Sequence, residues 1–293
     1  MPVLGALLAK LRNARHYIWE MDVYPDVAIA LGVLPSNSLL TRSLRYLLDV
    51  PRRHAAGVIA LGGCMAERLA ERGTPAARIH VAENWADGEK IRPAAFPSGP
   101  LTVLYSGNLG LAHEVETLRG AMARLRDDDR FRFVFAGGGP ARNELEEFCR
   151  ENGLGRVSFR LYCQLDELGR SLSECHVGLV TQKRETLGCV VPSKTYGIIA
   201  AGRPVLFVGP EAATPARIIG RFRCGWQVEP GDVDGLAALL DWLAAHPDEM
   251  RAAGKRARTA FEEHYDRPAG VARIREILGL RVEEHVLTRA AGA

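Results

Sequence analysis

From Leu101 onward the chain alternates between short stretches that are mostly apolar and longer stretches that are apolar at every third or fourth position. LTVLYSG (101–107), FRFVFAG (131–137), HVGLVTQ (176–182) and PVLFVG (204–209) show no regular polar face, which predicts strands buried on both sides of a parallel sheet. VSFR (157–160) and CGWQVEP (224–230) complete the set of strands. Helical spacing predicts helices over 113–125, 141–152, 166–172, 193–202, 215–222, 233–245 and 247–264. The strand-helix alternation predicts a doubly wound α/β unit.

The first third carries a shorter version of the same pattern. A helix over 3–13 places Leu4, Leu7, Leu8 and Leu11 on one face, and HYIWEMD (16–22) reads as a strand. A helix opened by Pro25 runs to Leu31, and helices follow over 38–48 and 64–72, with strands at GVIALG (57–62) and at 78–84. Residues 85–100 have no periodicity and many Pro, Gly and charged residues, which predicts an interdomain linker. A tail helix over 266–280 places Val271, Ile274, Ile277 and Leu278 on one side and is expected to cross back to the first domain. The expected organisation is 1–93, 94–265 and 266–293: a partial acceptor-side domain, a donor-binding domain, and a returning helix with its tail.

Composition narrows the function. The 293 residues are 47% hydrophobic and 25% charged with a net charge of +3, and the basic residues are scattered, so a nucleic-acid partner is not expected. No apolar run is long enough to span a bilayer and no secretory signal is visible, so a cytoplasmic location is expected. The six cysteines include no C-x-x-C pair, which points to reduced, mostly buried thiols and to no zinc site.

The chemistry concentrates in CVVPSKTYGIIAAGRPVLFVG (189–209). Pro192 and Ser193 open a short helix, Ser193 as its N-cap, and Gly202 closes it. Free N–H groups and the Lys194 ammonium then face the carboxyl end of a parallel strand, where a diphosphate binds well. An exposed lysine costs little at such a place, so alone Lys194 reads equally as solvated. Gly107 and Gly110 turn the chain after 101–107, and Gly137, Gly138 and Gly139 after 131–136, without a dinucleotide fingerprint. His113 opens the next helix, either to meet a phosphate or sugar hydroxyl or, as is commoner, to face solvent. Asp22 and Asp26 either face the cleft to receive an acceptor or cap the nearby helix. Lys183, Arg184 and Glu185 occupy the loop before the key helix, and Glu229 is assigned to the turn EPGD. The four tryptophans read as core or domain-contact residues. No Ser-His-Asp order, Walker motif or acid pair is present to support covalent catalysis.

Taken together, YSGNLGLAHEVETL (105–118), FVFAGGGP (133–140), VVPSKTYGIIAAGRPVLFVG (190–209) and GWQVEPGDVDGLAALL (225–240), in that order, resemble the retaining family 4 glycosyltransferases of bacterial O-antigen and capsule assembly. DVYPDVAIALGVL (22–34) resembles their acceptor domain. The resemblance implies a GT-B-like α/β fold, two Rossmann-like domains facing a cleft, with the N-terminal one incomplete. It implies transfer of a hexosyl or N-acetylhexosaminyl unit from a nucleoside diphosphate, UDP first, to a glycan or lipid-linked saccharide with retention, without a metal and with no cofactor. Gly107, Asn108, Ser193 and Lys194 are implied at the diphosphate, with Gly110, Pro192 and Thr195 among the donor-binding residues and His113 and Lys194 as the catalytic residues. Gly137, Gly138, Gly139, Leu161 and Tyr162 lie near the base, His113 near the phosphates or acceptor, and Asp22 and Tyr24 on the acceptor side. Gly197 and Cys189 stand where many relatives carry glutamates for ribose and donor sugar. The family's first domain starts with further strands and a glycine-rich loop, so the chain is expected to begin inside that domain, as a truncated product, a misassigned start or one half of a split enzyme. A peripheral contact with the inner membrane face or a partner chain follows as an expectation. The alternative function is a donor-binding remnant or subunit that is inactive without another chain.

Overall fold

The computed structural model describes residues 2–164 and 167–280. The first part runs α1 (Pro2–Arg12), β1 (Tyr17–Trp19), α2 (Asp26–Ala30), α3 (Leu39–His54), β2 (Gly57–Ala60), α4 (Gly63–Glu71) and β3 (Ile79–Val81). The second runs β4 (Leu101–Ser106), α5 (Glu116–Arg124), β5 (Phe131–Ala136), α6 (Pro140–Glu151), β6 (Val157–Arg160), α7 (Leu168–Ser173), β7 (Val177–Thr181), α8 (Lys194–Ala200), β8 (Val205–Val208), α9 (Thr214–Phe222), β9 (Gly225–Val228), α10 (Val233–Ala245), α11 (Pro247–Ala260) and α12 (Arg267–Leu278). A single π-helical turn, Phe261–Tyr265, follows α11.

Two parallel sheets result. The smaller has the order β1-β2-β3, and the larger the order β6-β5-β4-β7-β8-β9. The apolar strands of the larger sheet are buried on both faces. Leu101, Val103, Tyr105, Phe133 and Phe135 pack under α5, α6 and α10, while Leu104, Val134, Val180 and Phe207 pack under α8 and α9. The strand order reverses between β4 and β7, which opens a crevice at their carboxyl ends. Both glycine turns and the start of α8 lie there.

Several boundaries move for physical reasons. The strand expected over 16–22 is shorter, Tyr17–Trp19, with His16 and Glu20 bonded to the β2 side at its ends. α3 continues past Pro51 to His54, because Arg52 is held inside by Glu20 at 2.7 Å, Asp49 at 3.2 Å and the Tyr24 carbonyl at 3.0 Å. Ser38 caps α3 as its side chain accepts from the Thr41 N–H. Ser193 does not cap α8 through its side chain, whereas Gly202 ends that helix at φ +66°. Asp26 is no cap either: it is buried and paired with Arg68 at 2.9 Å and Arg45 at 3.4 Å. Asp166 of the helix expected over 166–172 lies outside the described residues, as does the tail beyond Leu280.

The stretch expected as a linker is part of the packed structure. The Ala86 N–H donates to the Tyr265 carbonyl, Asp87 pairs with Arg267 at 2.7 Å, and Ile91 is buried against the core under α8. α12 reaches the first sheet, where Arg273 donates to the Val81 carbonyl. It buries only Gly270, over the Trp85 ring, so the expected apolar stripe of that helix stays partly exposed. The β1–α2 turn docks on the loop before α8 through the Val23 N–H to the Cys189 carbonyl, 2.8 Å, and a bridge between Asp22 and Val190. Among the described residues no helix is long and apolar enough to cross a membrane.

Candidate active site

The site is built on two glycine turns that lean on each other. The Leu109 N–H donates to the Gly138 carbonyl and the Ala141 N–H to the Leu109 carbonyl, tying the turn after β4 to the turn after β5. Gly137 has φ +132°, and a Cβ there would lie 2.1 Å from the Gly107 carbonyl oxygen, so only glycine fits. Gly139, at φ +118°, is equally hemmed in by the Leu109 carbonyl and the Asn108 side chain. A Cβ on Gly107 would meet the Lys194 Cε at 2.6 Å, so the bare turn makes room for the lysine stem.

Lys194 thus lies across the first turn, with its Nζ 5.0 Å from the centre of the Tyr105 ring and 3.4 Å from His113 Nε2. His113 precedes α5, in the turn rather than in the helix; the capping there is done by Glu114, whose carboxylate accepts from the N–H groups of Glu116 and Thr117. His113 Nδ1 is 2.9 Å from the Thr181 carbonyl, which fixes the proton on Nδ1 and leaves Nε2 as an acceptor toward Lys194. Burial, and then the Lys194 charge, push the His113 pKa down to about 4, so the imidazole is neutral at physiological pH. Burial lowers the Lys194 pKa to about 8. Among the described residues no carboxylate pairs with this half-buried ammonium, which stands beside a neutral histidine, an arrangement that an anion would stabilise.

Beside this pair opens a cavity of about 530 Å³ lined by Gly107, Tyr162, Ser193, Lys194 and Gly197, with a wall from Trp85, Asp87, Lys90 and Ile91. Tyr162 lies against Gly137 and Gly138 and keeps a face open to water. Leu161 turns outward and is 81% exposed, away from the cavity. Pro192 is buried beneath the start of α8, and the Thr195 hydroxyl bonds inward to the Pro192 carbonyl, leaving only backbone groups of that residue toward the site. Asn108 holds the turn: its carbonyl accepts from the Tyr105 hydroxyl at 2.7 Å, and its amide lies near Gly110. Asp22 and Tyr24 stand apart from this cluster on the opposing turn, both exposed. The Asp22 carboxyl is raised by desolvation and by Glu20.

Sequence reasoning missed several members. Trp85, Asp87, Lys90 and Ser106 line the cavity, and Arg142 donates to the Gly137 carbonyl. Of these only Ser106, adjacent to the first glycine turn, had a local signal. Arg184 of the loop before α8 pairs with Glu229 at 2.6 Å and stays exposed. The tryptophans are also less buried than expected, with Trp19 and Trp242 each about 40% exposed.

The sequence pattern of the glycosyl transferases group 1 family matches residues 87–260. The chain belongs to that family. Its matched region holds both glycine turns, His113 and α8. Among curated proteins the chain is similar to a probable glycosyltransferase, WbjE, of Pseudomonas aeruginosa, 26% identical across 87% of this chain and 66% of the relative. It is also similar to a putative colanic acid biosynthesis glycosyl transferase, WcaI, of Escherichia coli K12, 28% identical across 79% of this chain and 60% of the relative. The chain therefore spans somewhat less than two thirds of the length of these relatives. Among solved structures, HepE of Anabaena in complex with UDP superposes with a TM-score of 0.77 at 15% identity, covering 95% of this chain and 76% of that one. Sucrose-phosphate synthase of Thermosynechococcus elongatus superposes with a TM-score of 0.75 at 19% identity, covering 94% and 70%. The α/β architecture is thus GT-B-like.

Proposed function

We propose that this group 1 glycosyl transferase moves a sugar, hexosyl or N-acetylhexosaminyl, from a nucleoside diphosphate to a hydroxyl of a glycan or lipid-linked saccharide with retention. The observation that carries the reading is Lys194, held over Gly107 against the neutral His113 with no carboxylate paired to it among the described residues. Its ammonium and the free N–H groups of the first turn of α8 supply the counter-charge that a departing diphosphate needs, so the reading assigns the reaction no metal. His113 Nε2, released when Lys194 turns to the phosphates, accepts a hydrogen bond from a donor-sugar hydroxyl. The cavity beside Tyr162 takes base and ribose, and Asp22 and Tyr24 meet the acceptor from the facing turn. UDP is the first choice of nucleotide, because the structurally similar HepE was solved with UDP and with UDP-glucose.

In this reading 94–265 binds the donor, 1–93 serves the acceptor, and 266–293 crosses back. Six unpaired cysteines support a reducing cytoplasmic setting, at the inner membrane face if the acceptor is lipid-linked. The second reading, a donor-binding unit that needs another polypeptide to act, is favoured by the open edge of β1.

Hydrogen exchange with and without saturating UDP tests the site. The amides of 107–110, 137–139 and 194–196 are expected to slow together. Protection confined to other segments, or none, overturns the reading.

A further inference from the structure

The cavity beside Lys194 changes character along its length. Ser193, Lys194, Gly197 and Ile198 of the α8 segment all line it, and their spacing puts them on one face of the helix. At the Lys194 end that face is polar. One turn further, about 5.4 Å along the axis, it is bare. Gly197 lies inside α8, and a Cβ there would meet only the Leu172 Cδ1 at 3.4 Å and the Ile91 Cδ1 at 3.9 Å, both ordinary contacts. Neither backbone nor crowding calls for glycine at this place, in contrast to Gly137 and Gly139. The missing side chain leaves an open, apolar floor of Ile91, Ala136, Leu168, Leu172 and Ile198. Among the described residues that line the cavity, Asp87 is the one carboxylate, and it is engaged: its Oδ2 accepts from Arg267 at 2.7 Å and its Oδ1 from the Glu89 N–H at 3.1 Å. Lys90 and Gln164 stand at the rim, both exposed.

On the function proposed above, the phosphates lie at Lys194 and the base beside Tyr162, so the pentose that joins them lies over Gly197 and this floor. A hydroxyl set down on such a surface gives up its water without gaining a partner, whereas a pentose lacking that hydroxyl gives up nothing. Rejection of a deoxy analogue needs the opposite arrangement, a polar group fixed where it bonds the hydroxyl and left unpaired when the hydroxyl is missing. We propose that the donor site does not select for the pentose 2′-hydroxyl, and that its substrates include sugars carried on 2′-deoxyribonucleoside diphosphates, thymidine diphosphate among them, beside those carried on UDP. Gly197 sets this tolerance. The proposal rests on the donor-site reading and extends the class of nucleotide that the site takes.

Competition titrations of the full chain with UDP, dUDP and thymidine diphosphate test it, because the first two differ in the 2′-hydroxyl alone. Each deoxynucleotide is expected to bind within about threefold of UDP or more tightly, where a site built to bond the hydroxyl would separate them far more. Gly197→Glu places a carboxylate over the same floor and is expected to shift the ratio of the dUDP and UDP dissociation constants at least about tenfold in favour of UDP. Either deoxynucleotide binding more weakly than that threefold limit overturns the proposal. So does a folded, UDP-binding Gly197→Glu variant that keeps the native ratio, since the pentose then lies elsewhere. The native comparison decides the proposal even where the variant does not fold or bind. UDP is bound in each of these outcomes, so they leave the donor-site reading standing; a folded chain that binds none of the three nucleotides removes that reading and this proposal with it.

Discussion

At the scale of single residues the site depends on what is kept out as much as on what is present. Gly137 cannot carry a Cβ without striking the Gly107 carbonyl, and its φ is one that other residues avoid. Gly137→Ala should therefore cost about 2 to 3 kcal/mol of stability in urea unfolding and abolish UDP binding, since both turns must shift. Lys194 supplies a second residue-scale expectation, with a definite sign. Burial disfavours its charged form and holds the pKa near 8, below the ordinary 10.5. A diphosphate favours the charged form and raises the pKa again, so at pH 8 binding should draw up to about half a proton from solution. Calorimetry in buffers of different ionisation enthalpy measures that number; zero uptake at pH 8 means that Lys194 does not meet the anion.

At the scale of elements, the smaller sheet rests on one buried ionic cluster. Arg52 on α3 is 1% exposed and gathers Glu20 from the end of β1, Asp49 from its own helix and the Tyr24 carbonyl. Arg52→Met should destabilise the protein by about 3 to 5 kcal/mol, because Glu20 is left as an uncompensated buried carboxylate, with the loss read as a lower thermal midpoint. The four inner strands of the larger sheet, β4, β5, β7 and β8, are legible in the sequence, because burial on both faces leaves apolar runs that need no partner to be recognised. α3 was cut short at Leu48 because Pro51 suggests a stop, while the interactions of Arg52 that carry the helix onward come from distant residues. The wall at 85–91 was read as a linker for the same kind of reason: its contacts are with Tyr265, Asp266 and Arg267, about 180 positions away, and such contacts impose no local period. His113 stands in the turn ahead of α5 rather than opening that helix, and its burial and tautomer come from Thr181 on β7, next to β4 in the sheet but three strands later in the chain.

At the scale of the whole molecule, the two sheets meet where the β1–α2 turn touches the loop before α8, and the proposed function sets Asp22 and Tyr24 of that turn on the acceptor side. The central claim is that this cleft receives a nucleoside diphosphate through Lys194. Calorimetric titration of the full chain with UDP, repeated with Lys194→Ala, tests it most directly. The account predicts that UDP binds and that the variant loses about 1.5 to 3 kcal/mol, roughly 10- to 150-fold in Kd, for one charge-assisted contact. A folded chain that does not bind UDP, or a variant that binds it as tightly as the native protein, would contradict the account.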